Sequence, residues 1–272
     1  VDIASKSPSI EGFVLPSEQP ANEVSGRLDS SLLDLSSEDL LEQADAVLSH
    51  VKSLDERAVV TGGGVGVSAT AGCMMSSEGI LSTGMTTSHG IGLQVTLDVD
   101  GQLTSSYQGQ SSRHQLPELP ECIGRAVHWA QVTQNPLKVE SQAIETPVLM
   151  TSEGFSPLFS MVVPPAMSGE KMVRKESFWS ERFNEQVINP ALSIHDDGLL
   201  EGGMASGSRD AEGVPRRRQV LVENGRLVNM LWSTRDAAQQ VAEGRITAAV
   251  STGSANSVAI SRPPQRDARS CF

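Results

Sequence analysis

The chain has 272 residues, 38% of them apolar and only 4% aromatic, with 24 glycines and a formal net charge of −12. That length can bury one large or two modest cores, and the glycine and serine content favours strands and loops over a helical bundle. The acidic balance excludes a general nucleic-acid binder, which needs clustered Lys and Arg against phosphate, and no apolar run approaches the ~20 residues that cross a bilayer.

Residues 1–35 are rich in Ser, Pro and Glu without sustained periodicity, and read as a flexible or loosely docked segment. A helix is predicted from Glu38 to Leu54, where Leu40, Ala44, Val47, Val51 and Leu54 form one apolar stripe. Ser36 or Ser37 can cap it, Glu38 and Asp39 suit its N-terminal end, and Lys52 suits the other. From Ala58 to about Tyr107 the pattern turns to strand. Val65, Val67 and Ala69 alternate with Gly66 and Ser68, and Leu93, Val95, Leu97 and Val99 run into Asp100-Gly101, a hairpin turn. Leu103, Ser105 and Tyr107 continue the return strand.

A second helix opens at Pro117 to Pro120, shows Ile123, Val127 and Ala130 on one face, and stops near Asn135-Pro136. Pro147-Val148-Leu149-Met150 reads as a short buried strand, and Ser168 to Asn184 as partly helical. Val220 to Val228 is a second hairpin turning at Asn224-Gly225, Thr234 to Ala242 a short helix, and the tail after Arg262 frayed. The chain is thus expected to be α+β in two domains, with mixed or antiparallel sheets and a few packing helices. The expected division is a flexible segment 1–35, a first domain 36–140, a second 141–262 and a tail 263–272.

Local chemistry is sparse. Cys73, Cys122 and Cys271 show no Cys-x-x-Cys spacing, which fits a reducing cytoplasm better than a disulfide framework. No signal peptide is visible, and a start at Val1 rather than Met suggests processing, trimming or an incomplete start. The five histidines never fall three or four residues apart, so a metal site would need long-range assembly, for instance from His195, Asp196 and Asp197. Thr61 to Gly66 lacks the Gly-Lys-[Ser/Thr] ending of a phosphate loop and reads as a turn or bulge between strands. Arg216-Arg217-Arg218 would point to alternate faces of a strand. Those side chains either contact Asp210, Glu212 or Glu223 or bind a peptide carboxylate. Asp210 and Glu212, beside three arginines, should both stay ionised and form a structural turn. No Gly-x-Ser-x-Gly nucleophile elbow occurs.

Several segments, taken in order, resemble the TldD/PmbA family. They are Met75 to Ile80, Ser111 to Ala130, Pro147 to Met150, Gly169 to Val173, Leu192 to Asp197, the long Gly207 to Gly225 stretch, and Ser251-Thr252-Gly253-Ser254-Ala255-Asn256. The resemblance implies one half of a heterodimeric zinc peptidase, in which one subunit carries a His-Glu-x-x-x-His helix and the other lacks it. At the corresponding place this sequence reads Thr151-Ser152-Glu153-Gly154-Phe155-Ser156-Pro157-Leu158-Phe159, without a histidine, and Pro157 is expected to disturb a helix. The chain therefore resembles the PmbA (TldE) half, with no catalytic residue, no metal and no cofactor of its own.

On this resemblance zinc belongs to a TldD-like partner subunit, and the substrate is an unfolded peptide or a peptide natural-product precursor. Arg209, Asp210, Glu212, Gly213, Pro215, Arg217, Ser251, Thr252 and Gly253 become the candidate peptide-contact or signature residues. Two alternatives stay open: a stand-alone peptide-binding or scaffold protein, and a hydrolase with a metal-independent site.

Overall fold

The computed structural model describes residue 6 and residues 12–138, 148–244 and 258–261. Helix α1, Ser37–Leu54, begins where Ser36 and Asp39 cap each other: Ser36 Oγ accepts the Asp39 N–H at 3.2 Å and Asp39 Oδ2 accepts the Ser36 N–H at 2.8 Å. Its Val47 and Val51 are buried against an antiparallel meander of β1 (Ala58–Met75), β2 (Leu81–Val99) and β3 (Gln102–Ser112). Asp100 (φ 54°) and Gly101 (φ 82°) both take positive φ, which suits the right-handed twist of the β2–β3 hairpin.

Helix α2, Glu121–Val132, follows Pro120 at its N-cap and covers the same sheet face as α1. Alternate residues of β2 (Ile91, Leu93, Val95 and Leu97) pack against Cys122, Ile123, Ala126, Val127 and Ala130. The glycine-rich Thr61–Gly66 stretch lies inside β1, where the register slips between Val60 and Gly62. Gly63 has φ 128°, and a Cβ there would lie 2.1 Å from the Gly92 carbonyl oxygen, so this bulge requires glycine.

The helices cover only one end of the meander. From Thr61 to Met75, β1 is exposed or half-buried along its whole length, and among the described residues it pairs with β2 alone. Among the described residues β1 therefore presents a long, unpaired strand edge.

The second sheet has the order β6-β5-β4-β7, all antiparallel, from β4 (Ser193–Asp197), β5 (Arg218–Glu223), β6 (Arg226–Leu227) and β7 (Val258–Ser261). Asn224 (φ 46°) and Gly225 (φ 77°) make its hairpin turn. Its core joins Ile194, Leu221, Val222 and Leu227 to Met167, Met172, Trp179, Met230, Trp232 and Ala237. The last of these lies in α5, Thr234–Ala242, capped by Ser233. The α+β, antiparallel architecture matches the expectation, and no helix among the described residues is long and apolar enough to cross a membrane.

Two local expectations fail. Val148, Leu149 and Met150 are neither paired nor buried (Leu149 is 97% exposed), while Pro147 lies outside the described residues. Four apolar residues carry no periodicity, and a strand needs a partner edge that none of the described residues provides here. Conversely, Ser152–Ala166 is a helix, α3, despite Pro157, Pro164 and Pro165. Thr151 caps it by accepting the Gly154 N–H at 3.2 Å, and most of its residues face solvent, where water can take up the carbonyls that proline leaves unbonded. A five-residue helix, α4 (Gly169–Val173), follows and supplies Met172 to the core.

The segment preceding α1 runs between the two sheets. Thr87 N–H donates to the Arg27 carbonyl at 3.0 Å, Asp29 N–H to Thr87 Oγ1 at 2.8 Å, and Gln115 N–H to Asp29 Oδ2 at 3.0 Å. Gly202 N–H reaches the Ser25 carbonyl at 3.2 Å from the other side. This strap carries Arg27 to the junction of the lobes.

Candidate functional site

An open cleft of about 450 Å³ lies where the β1–β2 arm meets the loop of residues 204–210. One wall comes from β1 and β2 and includes Thr70, Gly72, Met74, Ser82, Gly84 and Thr86. The facing wall is Met204 to Asp210, which carries Arg209, and Arg27, Arg113 and Arg216 enter from outside it.

Each arginine is held differently. Arg113 Nη1 donates to the Thr87 carbonyl at 3.2 Å and Nη2 to the Met204 carbonyl, which ties the sheets together. Arg216 Nη1 donates to the Ala205 carbonyl. Arg209 donates to the Gly213 carbonyl at 2.9 Å, to the Gln19 carbonyl, and to Glu18 Oε1 at 2.9 Å, so its charge is matched. Arg27 lies over Gly84: a Cβ on that glycine would sit 3.6 Å from Nη1 and 3.7 Å from Nη2.

Burial pushes the pKa of Arg113 down, with the neighbouring Arg27 adding to the effect, and burial likewise lowers that of Arg216. Asp210 is the carboxylate of the cleft lining. Its Oδ1 accepts the N–H groups of Glu212 and Val214 at 2.9 Å each, the structural turn expected from sequence. Its pKa, however, is raised, chiefly by burial. The expectation that the arginines hold it ionised understates this desolvation, since no described cation comes within ion-pair distance.

The candidate residues named from sequence do not form one site. Arg209 and Asp210 line the cleft. Glu212 turns to a neighbouring cavity, where it accepts the Thr234 N–H at 2.8 Å and the Thr234 hydroxyl at 3.1 Å. Gly213 (φ 89°) packs on Ile80 of the first lobe, and Pro215 forms an isolated antiparallel bridge with Arg209. Arg217 lines a third cavity with Leu15, Pro16 and Ala238, so Arg216 and Arg217 do point to different sides. Ser251, Thr252 and Gly253 lie outside the described residues. Sequence reading missed Arg27 and Arg113, because no local pattern marks isolated residues that only tertiary folding brings together.

Fold and site together define a two-sheet α+β chain with a polar cleft between its lobes. Residues 143–271 match the PmbA/TldA metallopeptidase C-terminal domain. The chain is 28% identical over 222 residues to an uncharacterized protein of Methanocaldococcus jannaschii, which covers 82% of this chain and 51% of that protein. It is 25% identical over 164 residues to Metalloprotease PmbA of Escherichia coli O157:H7, covering 60% of this chain and 36% of that one. The fold superposes on TldE of Thermococcus kodakarensis with a TM-score of 0.75 at 21% identity, over 98% of this chain and 56% of that structure. The chain is thus similar to metallopeptidase-related proteins of the TldD/PmbA family, most directly through its residues 143–271, and it spans about half or less of the length of these curated relatives.

The residues described do not fit a zinc ion. Helix α3 offers one ligand-type side chain, Glu153, whose Oε1 lies 3.9 Å from Arg125 Nε, and it offers no imidazole or thiol. His195, Asp196 and Asp197 are consecutive in β4 and point to alternating faces. Asp196 accepts from Gln219, and Asp197 faces Arg218 at 3.9 Å. Among the described residues no three His, Cys, Asp or Glu side chains converge.

Proposed function

We propose that this chain is a PmbA/TldE-like, non-catalytic subunit of a heterodimeric zinc metallopeptidase, holding extended peptides while a TldD-like partner supplies zinc and chemistry. The observation that carries the reading is α3: the segment expected to correspond to the zinc helix is helical, yet bears only Glu153, turned toward Arg125. A catalytic zinc needs three protein ligands and an open position for water.

The unpaired edge of β1 supports the peptide-holding role. An exposed edge presents main-chain N–H and C=O groups that bind an extended chain as an added strand, with little demand on its sequence. Unfolded peptides and peptide natural-product precursors offer such a chain. A cytoplasmic setting agrees with Cys73 and Cys122, both free thiols.

The test is co-purification of the tagged chain with the TldD-like protein of its own organism, with zinc quantified and peptide cleavage measured for each protein and the mixture. The expected result is a one-to-one complex, zinc on the partner, and cleavage only by the mixture. Peptide binding without a complex would establish a stand-alone binding protein instead. Stoichiometric zinc on this chain would overturn the proposal.

A further inference from the structure

The chain carries a net charge of −12, yet its interlobe cleft gathers four arginines around one carboxylate, Asp210. Arg209 is neutralised by Glu18, but Arg27, Arg113 and Arg216 have no carboxylate within 4 Å among the described residues. Such like charges repel one another, and half-burial in the cleft reduces the water that screens them.

The hydrogen bonding is also incomplete. The Nε groups of Arg27, Arg113 and Arg216 are buried without an acceptor, as is the hydroxyl of Ser206, a residue only 4% exposed. Among the described residues no acceptor is found for the Arg27 guanidinium, and only Nη1 of Arg216 is engaged. Unmade hydrogen bonds of this kind cost folding free energy unless a ligand completes them.

Space is left where such a ligand would sit. Gly84 lies beneath the Arg27 fork, and a Cβ on Gly207 would lie 3.7 Å from Arg216 Nη1, so neither wall carries a side chain there. Thr70, Gly72 and Met74 of the cleft wall belong to β1, the strand whose edge is free.

We propose that this cleft binds the carboxylate of a peptide, with Arg27 as a two-pronged donor, Arg216 and Ser206 as further donors, and Arg113 as fixed positive charge. Planar guanidinium forks match carboxylates through paired N–H···O bonds, and clefts of one sign focus the field on an incoming anion. The peptide nature of the ligand rests on the function proposed above; its carboxylate rests on the arginines. The carboxylate comes from the chain terminus or from an acidic side chain.

Calorimetric titration of the full chain separates these cases with three probes: tetra-alanine as free acid, the same peptide as C-terminal amide, and an amidated tetrapeptide with one glutamate. The expected result is free acid binding about tenfold or more tighter than the plain amide, with the gap shrinking as salt rises. Arg27→Gln should bring the free acid to the level of the amide while melting like the wild type, since its guanidinium holds no other part of the protein; Arg216→Gln provides the second variant. Tight binding of the glutamate peptide assigns the site to acidic side chains, and weak binding assigns it to the chain terminus. Equal binding of free acid, plain amide and glutamate peptide, or unchanged binding of the carboxylate-bearing peptides in both variants, would overturn the carboxylate site and leave the peptide-holding role intact. Failure of all three peptides to bind would overturn the peptide-holding role itself.

Discussion

Gly213 sits where the Asp210 turn meets the first lobe, and Gly213→Ala tests whether this signature glycine is needed for packing. Its φ of 89° is costly for an L side chain, by about 1–2 kcal/mol. An added Cβ would lie 2.6 Å from Ile80 Cδ1 and 3.4 Å from Met74 Sδ. Ile80 is buried, so its methyl group must move into packed surroundings, and overpacking of this kind costs about 1–3 kcal/mol. Together these give a loss of about 2–5 kcal/mol.

Gly101→Ala isolates the backbone contribution, because Gly101 has φ 82° and nothing within 4 Å of an added Cβ. It should lose only about 1–2 kcal/mol. Urea unfolding followed by tryptophan fluorescence reads both variants, since Trp129 lies in α2 of the first lobe and Trp179 and Trp232 lie in the second core. A Gly213→Ala loss no larger than that of Gly101→Ala would refute the packing argument. Native stability with lost peptide binding would make Gly213 a ligand-facing position instead.

Ser36→Ala removes the side-chain half of the α1 capping box and should lower stability by about 1 kcal/mol in the same assay. Leu93→Ala empties a site packed between the meander and its helices and should cost about 2–5 kcal/mol. His89 is 1% exposed; its Nδ1 accepts the Leu116 N–H at 3.0 Å, so Nε2 carries the proton toward Gln43 Oε1 at 3.0 Å. Burial lowers its pKa from 6.5, so the unfolded chain takes up the proton first and stability falls as pH drops below about 6.5. The margin of wild type over His89→Gln should therefore shrink between pH 7.5 and 5, and a constant margin would contradict a buried neutral imidazole. The bidentate Arg57 contact and Gln131 hold the Asp55 carboxyl below the usual carboxylate range. That stabilisation is complete above the unfolded pKa and is lost as pH falls through the folded one. The advantage over Asp55→Asn should be level from pH 7 to 5 and close below about pH 4.

The sequence by itself determined the elements whose causes are local. The Ser36 cap and the stripe through Val47 and Val51 make α1, Asp100-Gly101 and Asn224-Gly225 make the two hairpins, and Ser233 starts α5 where the pattern begins. Each depends on neighbours within a few residues, so spacing and residue type suffice. Tertiary structure decided the rest. Whether Val148 to Met150 becomes a strand depends on a partner edge, and whether Pro157 ends a helix depends on capping and solvent around it. The cleft is the clearest case: Arg27, Arg113 and Arg216 come from the strap, the end of the meander and the approach to β5. Like charges do not gather through attraction for one another, so their meeting is set by how the two sheets and the strap pack, which no local periodicity encodes.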